Sequence, residues 1–210
     1  GAKQVLLKDE VKRTIPVIKR ISGILKIPIS IDTCKPEVAR VALDNGASIV
    51  NDITGLRNPV MAKICARYKA GVVIMHMRGT PRSMQKNPVY DSLMGEIIEY
   101  LDNAIQTALG VGIEKEKIII DPGIGFGKTL EHNLEILKNL KELKVLGAPI
   151  LVGTSRKAFI GKILKNEPPE RLAGTVASCV LSSANGANIV RVHDVKIVAQ
   201  ALKLSAALLN

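Results

Sequence analysis

Six short runs of β-branched and apolar residues punctuate this chain, and they are largely continuous rather than alternating. They read IPISIDT (27–33), SIVNDI (48–53), GVVIMHM (71–77), KIIIDPG (117–123), PILVGTS (149–155) and NIVRVHD (188–194). A strand with one wet face alternates apolar and polar residues, whereas a continuous run belongs in a sheet covered on both faces. Between the runs, apolar residues recur three or four apart, as in Val38, Ala39, Ala42 and Leu43 or Leu134, Leu137 and Leu140. That spacing makes a buried helix face. Strand–helix alternation of this kind folds as right-handed βαβ units about a parallel sheet.

Nearly every run ends in polar chemistry at its C-terminal side: Asp32, Asn51-Asp52, Met75-His76-Met77, Asp121, Ser155-Arg156-Lys157 and Arg191-Val192-His193-Asp194. An open doubly wound sheet gathers ligand groups near one switch point, while a closed (β/α)8 barrel collects them from all its strands. The spread over six strand ends favours the barrel. Six units in 210 residues use about 35 residues each, and a full barrel needs eight strands and typically about 250 residues. A helix expected over about 8–25, with Val11, Ile15, Ile18 and Ile21 on one stripe, precedes the first run. The expectation is therefore one domain over 1–210, an α/β barrel with six of eight strands present and about 70 residues absent before the first. In KPEVARVALDNGA, Pro36 near the first turn and Gly46 just past the end bound a helix. RGTPRSMQKNPVYD (78–91) has two prolines and no periodicity, and is a candidate active-site loop.

Composition narrows the partners. There is no apolar run of about 18 residues and no signal-peptide pattern at the N-terminus, so no membrane is expected. Three scattered cysteines make neither a disulfide framework nor a cysteine-based zinc site, and suit a reducing, cytoplasmic setting. The 30 Lys and Arg outnumber 19 Asp and Glu, a net charge of +11 that concentrates anions. Single-stranded nucleic acid would call for stacking aromatics, yet the chain has two Phe, three Tyr and no Trp. A small anionic metabolite is the better partner.

IIIDPGIGFGKT (118–129) ends as a phosphate-binding loop does, but Pro122 stands where G-x-x-x-x-G-K-[ST] needs its first glycine. It reads instead as a barrel strand ending in Asp121, with Lys128-Thr129 as a helix start. Arg191 and His193, two apart, point the same way from their strand and form a candidate anion clamp. Ser155, Arg156 and Lys157 stand where a strand enters a helix, a place of free N–H groups, although a capping Ser with two solvated bases accounts for them equally. Asp32, Asn51 and Asp121 would converge from three strands on a ring with alternating donors and acceptors; divalent-metal ligation and helix capping are the competing uses. Met75 and Met77 share a parity and His76 takes the other, so the methionines, Met75 first, are expected to wall a flat heterocycle. His76 and His132 are read as structural, and the cysteines as small buried apolar residues.

Taken in order, PISIDTCKPEVAR (28–40), IVNDITGL (49–56), VVIMHMRGTPRSMQ (72–85), IIIDPGIGFGKT (118–129), LVGTSRKAFIG (151–161) and VRVHD (190–194) resemble the dihydropteroate synthase family across the whole chain. The resemblance implies a (β/α)8 barrel that joins 6-hydroxymethyl-7,8-dihydropterin pyrophosphate to p-aminobenzoate, giving 7,8-dihydropteroate and pyrophosphate. It implies a pterin pocket of Asp32, Asn51, Met75, Asp121 and Lys157, and a pyrophosphate clamp of Arg191 and His193. It places p-aminobenzoate, or a competing sulfonamide, near Gly125, Phe126, Ser155 and Arg156. Lys157, Arg191 and His193 are the residues expected to carry catalysis. The family also implies Mg2+, a homodimer and a cytoplasmic location. Its opening strand with N-V-T-P-D-S-F-S-D and its second strand ending G-G-E-S-T-R-P, which bring the Asn associated with Mg2+, have no counterpart here. A protein of these 210 residues alone would have exposed sheet edges and is expected to lack synthase activity. A methyltetrahydrofolate-binding methyltransferase domain is an alternative, but needs no Ser-Arg-Lys helix start with an Arg-x-His clamp. A catalytically inactive pterin-binding paralogue is the other.

Overall fold

The continuous apolar runs form parallel strands shorter than the runs themselves, three of them ending on a polar residue, Asp32, Asp52 or Asp121. A computed structural model describes residues 5–209. Its strands are β1 (Ser30–Asp32), β2 (Ile49–Asp52), β3 (Gly71–Met75), β4 (Ile118–Asp121), β5 (Leu151–Val152) and β6 (Ile189–Val190). The helices are α1 (Leu7–Ser22), α2 (Pro36–Asp44), α3 (Pro59–Arg67), α4 (Leu93–Gly110), α5 (Leu130–Lys138), α6 (Ala158–Leu164), α7 (Leu172–Ala184) and α8 (Val195–Leu209). Two helices rather than the expected one separate β5 from β6.

The strands follow one another in chain order, β1-β2-β3-β4 in one ladder and β5-β6 in another, joined by a parallel bridge between Ile120 and Ile150. The register is staggered. Asp32 faces Asn51 and Met75 faces Asp121, but Asn51 faces Val73, two residues before Met75. Such stagger tilts strands around an axis, as barrel closure demands. Among the described residues no ladder joins β6 to β1; an Arg191–Asp32 ion pair of 2.8 Å crosses that side instead.

The period of two then sorts the interior into tiers. Ser30, Ile49, Val73, Ile119, Leu151 and Ile189 line a lower cavity of about 530 Å3, which Val195, Val198, Ala199 and Leu202 of α8 also line. Two residues further along each strand direction stand Asp32, Asn51, Met75, Asp121, Gly153 and Arg191, which line the mouth. The residues of opposite parity, Ile31, Val50, Ile74, Ile120 and Val152, are buried in the core between sheet and helices, with Val38, Met61, Ile97, Leu101 and Ile136 from the helices.

Local chemistry sets the helix starts as the sequence suggests. Pro36 begins α2 and Gly46 follows its end at φ +104°. Thr129 caps α5 in a capping box with His132, so His132 is structural. Gly123 is needed for two reasons: its φ is +72°, and a Cβ there would overlap the His76 carbonyl oxygen. Gly123→Ala is therefore expected to destabilise the fold by about 2–3 kcal/mol, lowering the melting temperature by roughly 5–10 °C. Gly147→Ala, also at positive φ but meeting only the flexible end of Lys115, should cost less; thermal denaturation of the two variants checks the order.

Candidate active site

The mouth of the sheet is a cavity of about 230 Å3 that brings together nine of the eleven residues expected from sequence. Asp32, Asn51, Met75 and Asp121 come from β1–β4; Phe126 from the turn after β4; Ser155 and Lys157 from the segment after β5; Arg191 and His193 from the segment after β6. Gly125 and Arg156 do not line it. Gly125 lies in a neighbouring cavity of about 290 Å3 with Gln85, Lys128, Lys157 and Lys162. The Arg156 side chain turns outward and is bound by both oxygens of Asp194. Its backbone is at φ +58°, a geometry that residue type does not announce.

The floor is polar and buried. Asn51 is 9% exposed, and its Oδ1 has no hydrogen-bond partner. A buried acceptor left unpaired is costly, and Asn51 lines the cavity, which makes it a candidate to accept from a ligand donor. Asp121 is 8% exposed; one carboxylate oxygen accepts from the Gly123 N–H at 2.7 Å. Burial raises its pKa, while that N–H and the charges of Lys157, Lys128 and Arg191 pull it back down. Lys157 donates to the Ile124 carbonyl at 2.8 Å and sits 4.3 Å from the centre of the Phe126 ring. Desolvation lowers its pKa against the raising effect of Asp121. Met75, 3% exposed, lines the cavity with Ile53 and Ile124.

The rim is wetter. Arg191 pairs with Asp32 across the open side, their side chains 59% and 46% exposed. Ser155 Oγ lies 2.8 Å from His193 Nδ1 and accepts from the His193 backbone N–H at 3.2 Å. With Nδ1 engaged, Nε2 of His193 is left for a ligand.

One expectation needs correction. Met77 does not share the wall with Met75: β3 ends at Met75, the parity is lost, and Met77 joins a separate surface cavity with Arg57, Tyr90 and Tyr100. Lys128-Thr129 do lead into α5, with Thr129 as its N-cap, and Lys128 is 3% exposed. Segment 78–91 lines none of the mouth but braces the turn beside it, through Gln85 to the Gly125 carbonyl and Tyr90 to the Gly127 carbonyl. Ile53, Ile124, Gly153 and Val192 are lining residues that sequence reasoning missed. Ile53 and Gly153 could have been found by extending the period of two from Asn51 and Ser155.

A deep, buried donor–acceptor floor under a cationic rim, all at the C-terminal ends of parallel strands, defines a barrel enzyme site for a flat heterocycle carrying an anionic group. The sequence profile described as pterin binding enzyme matches residues 1–193. A dihydropteroate synthase from Synechocystis sp. is 50% identical over 210 residues, covering 99% of this chain and 73% of its own length. A crystal structure of Yersinia pestis dihydropteroate synthase with a sulfonamide drug complex superposes with a TM-score of 0.97 at 38% identity, covering 99% of this chain and 76% of that one. The Thermus thermophilus dihydropteroate synthase in complex with 6HMPPP gives 0.93 at 38% identity, covering 97% and 80%. The chain belongs to the pterin-binding enzymes, in the dihydropteroate synthase family, and its six strands are six of the eight in that barrel. The methyltransferase alternative gives way to this assignment.

Behind the floor, His76 is 4% exposed and stays neutral, its pKa pushed down to about 2 by burial and by the charges of Lys128, Arg57 and Arg78. A base depressed in the folded state contributes stability above its unfolded value and loses it as pH falls. For His76 the window runs from 6.5 down to about 2. His76→Asn keeps an acceptor facing Lys128 and cannot titrate. Between pH about 6.5 and 5 the urea midpoint of the unsubstituted protein should fall more than that of His76→Asn; parallel slopes would refute the assignment.

Proposed function

We propose that the mouth condenses 6-hydroxymethyl-7,8-dihydropterin pyrophosphate with p-aminobenzoate, releasing pyrophosphate and 7,8-dihydropteroate in folate biosynthesis. One observation carries the reading: the unpaired, buried Asn51 Oδ1 lies in the same cavity as the Asp121 carboxylate and the Arg191–His193 rim. A pterin edge supplies N–H donors to such a floor, and its diphosphate reaches such a rim. The family relatives with a sulfonamide drug complex and with 6HMPPP support both halves.

The reaction asks the protein for positioning and charge rather than for an activated nucleophile. The aniline nitrogen forms a bond to the exocyclic methylene carbon of the pterin. The carbon–oxygen bond breaks and its electron pair leaves with the diphosphate, while the nitrogen gives its extra proton to solvent. Asp121, Asn51 and Asp32 hold the pterin edge; Met75 packs on its face; Lys157 bridges the pterin floor to the Phe126 ring. Arg191 and His193 take up the negative charge that grows on the departing diphosphate. Phe126 and Ser155 border the aminobenzoate side, with Gly125 and Arg156 shaping the backbone beside them. Mg2+ finds no ready cage: among the described residues there is no cluster of three or more His, Cys, Asp or Glu side chains. As a cofactor it would come as the companion ion of the diphosphate, held by phosphate oxygens and water.

A homodimer is the assembly that fits a second feature. Helices α5, α6 and α7 frame an apolar groove of about 510 Å3, with Ile163, Leu164 and Leu181 50%, 48% and 63% exposed. A second copy of the chain would cover it. Sedimentation should show a dimer that Leu181→Glu dissociates. The described cysteines are all free thiols, which suits a reducing, cytoplasmic setting; no described helix is long and apolar enough to cross a membrane.

Calorimetry tests the site. Arg191→Ala should weaken the pterin pyrophosphate by about 10- to 100-fold, the worth of a charge-assisted contact, and barely change affinity for the pterin alcohol lacking pyrophosphate. Sulfonamide should bind only when pterin or pyrophosphate is present. Equal losses for both pterins, or no sulfonamide binding, would overturn the synthase reading in favour of a pterin-binding protein without this chemistry.

A further inference from the structure

We infer that Lys128 is a positioning residue for the aminobenzoate side of the reaction, acting from beneath the floor through the carbonyl of Phe126. The inference rests on the synthase reading above and adds a residue to it that touches neither substrate.

The turn from Pro122 to Gly127 leads from Asp121 on the pterin side to Phe126 on the aminobenzoate side. Its backbone is tied from several elements. Lys157 holds the Ile124 carbonyl, Asn133 of α5 accepts from the Gly125 N–H at 2.6 Å, and Gln85 and Tyr90 hold the Gly125 and Gly127 carbonyls. The Phe126 carbonyl takes its bond from Lys128 Nζ, at 3.0 Å. The same Nζ lies 2.9 Å from Nδ1 of His76. His76 in turn gives its backbone N–H to the Asp121 carbonyl at 2.9 Å, and its ring meets Tyr100 of α4 edge-on at 4.9 Å between centroids. One amine thus joins the end of β3, the end of β4 and the residue whose ring faces Lys157.

Burial makes the arrangement informative. A lysine 3% exposed loses its hydration, and an apolar Met or Leu would fill the volume at no such cost. Desolvation lowers its pKa to about 7, with Asp121 opposing and Lys157 adding to the fall. A protonated Lys128 has no acceptor, so it donates both to the Phe126 carbonyl and to Nδ1 of the neutral His76 ring. Gly123 leaves space for it: a Cβ there would stand 3.3 Å from Nζ. A buried donor kept at this cost, aimed at the carbonyl of a substrate-facing residue, fixes where that residue stands.

The test uses the full chain with Lys128→Met, which keeps an unbranched side chain one atom shorter and removes both donor and charge. Calorimetry would read two affinities separately: pyrophosphate alone, which Arg191 and His193 hold, and a sulfonamide in the presence of saturating pyrophosphate. The expected result is a sulfonamide affinity lower by about 10-fold or more, as for an oriented contact displaced by about 1 Å, with pyrophosphate affinity changed less than about 3-fold. Because the chain holds only Phe126 and Phe159, fluorophenylalanine labelling gives two fluorine resonances. In the variant the Phe126 signal should move or broaden while that of Phe159 stays. If Lys128→Met does not fold, Lys128→Gln, which keeps a donor of shorter reach, carries both measurements. Unchanged sulfonamide affinity, equal weakening of both ligands, or an unmoved Phe126 resonance overturns the inference. Failure of the unsubstituted protein to bind sulfonamide at all overturns the functional reading, and the inference with it.

Discussion

Everything at the mouth depends on parallel register. Because all six strands run the same way, their C-terminal ends meet at one rim, and the pleat sends every second side chain inward. Ser30, Ile49, Val73, Ile119, Leu151 and Ile189 make the lower tier, and the residues two further along make the reactive one. The stagger that pairs Asn51 with Val73 but Met75 with Asp121 sets relative heights: Met75 stands beside Asp121, and Asn51 stands beside Asp32. A slip of one residue in any strand would exchange a mouth residue for a core one. Replacing Asp121 by Ile120 in this way would put a carboxylate among the helices, which the apolar outer face forbids. The apolar parity set is therefore what aims the polar one.

This explains how far sequence could be read. Continuous apolar runs declared the parallel sheet, and polar strand ends declared the face that would bind. Period two placed Asp32, Asn51, Met75 and Asp121 correctly, because they lie within or at the end of hydrogen-bonded strands. It failed for Met77, two residues past Met75, because the ladder ends at Met75. It held for Arg191 and His193 although β6 ends at Val190, because Ser155 captures His193 and Asp32 captures Arg191, and so extends the geometry. Lys128 was illegible for another reason. A lysine next to a capping Thr reads as solvated, and only tertiary closure of 78–91 and α5 over the turn makes it buried. The outward aim of Arg156 follows from its left-handed backbone and from Asp194, neither of which has a sequence signature.

The floor is an electrostatic compromise among groups that would each be unfavourable alone. Asp121 is buried, and burial favours its neutral form; Lys128 is buried and Lys157 half-buried, and desolvation favours theirs. Brought near one another, they offset these penalties, since a carboxylate beside cations and an ammonium beside a carboxylate each lose less by remaining charged. The result is a floor whose buried acceptors, Asn51 and Asp121, are in place without a ligand. Aliphatic replacements would suit the core better and would leave nothing to read a pterin edge.

The rim follows the opposite logic. Arg191 pairs with Asp32 where both are about half exposed, and pairs in such a setting are worth only about 0–1 kcal/mol. Such a contact keeps the guanidinium extended across the open side between β6 and β1 without binding it tightly. On the proposed reading, a diphosphate carries more charge than one carboxylate and offers several oxygens to the planar donor fork, so it would displace Asp32 from Arg191. Asp32, so released, would be free to turn toward the proposed pterin edge in the cavity it already lines. Binding of the diphosphate and completion of the heterocycle's acceptor set would then be one event, linked through a single ion pair that is weak by virtue of where it stands.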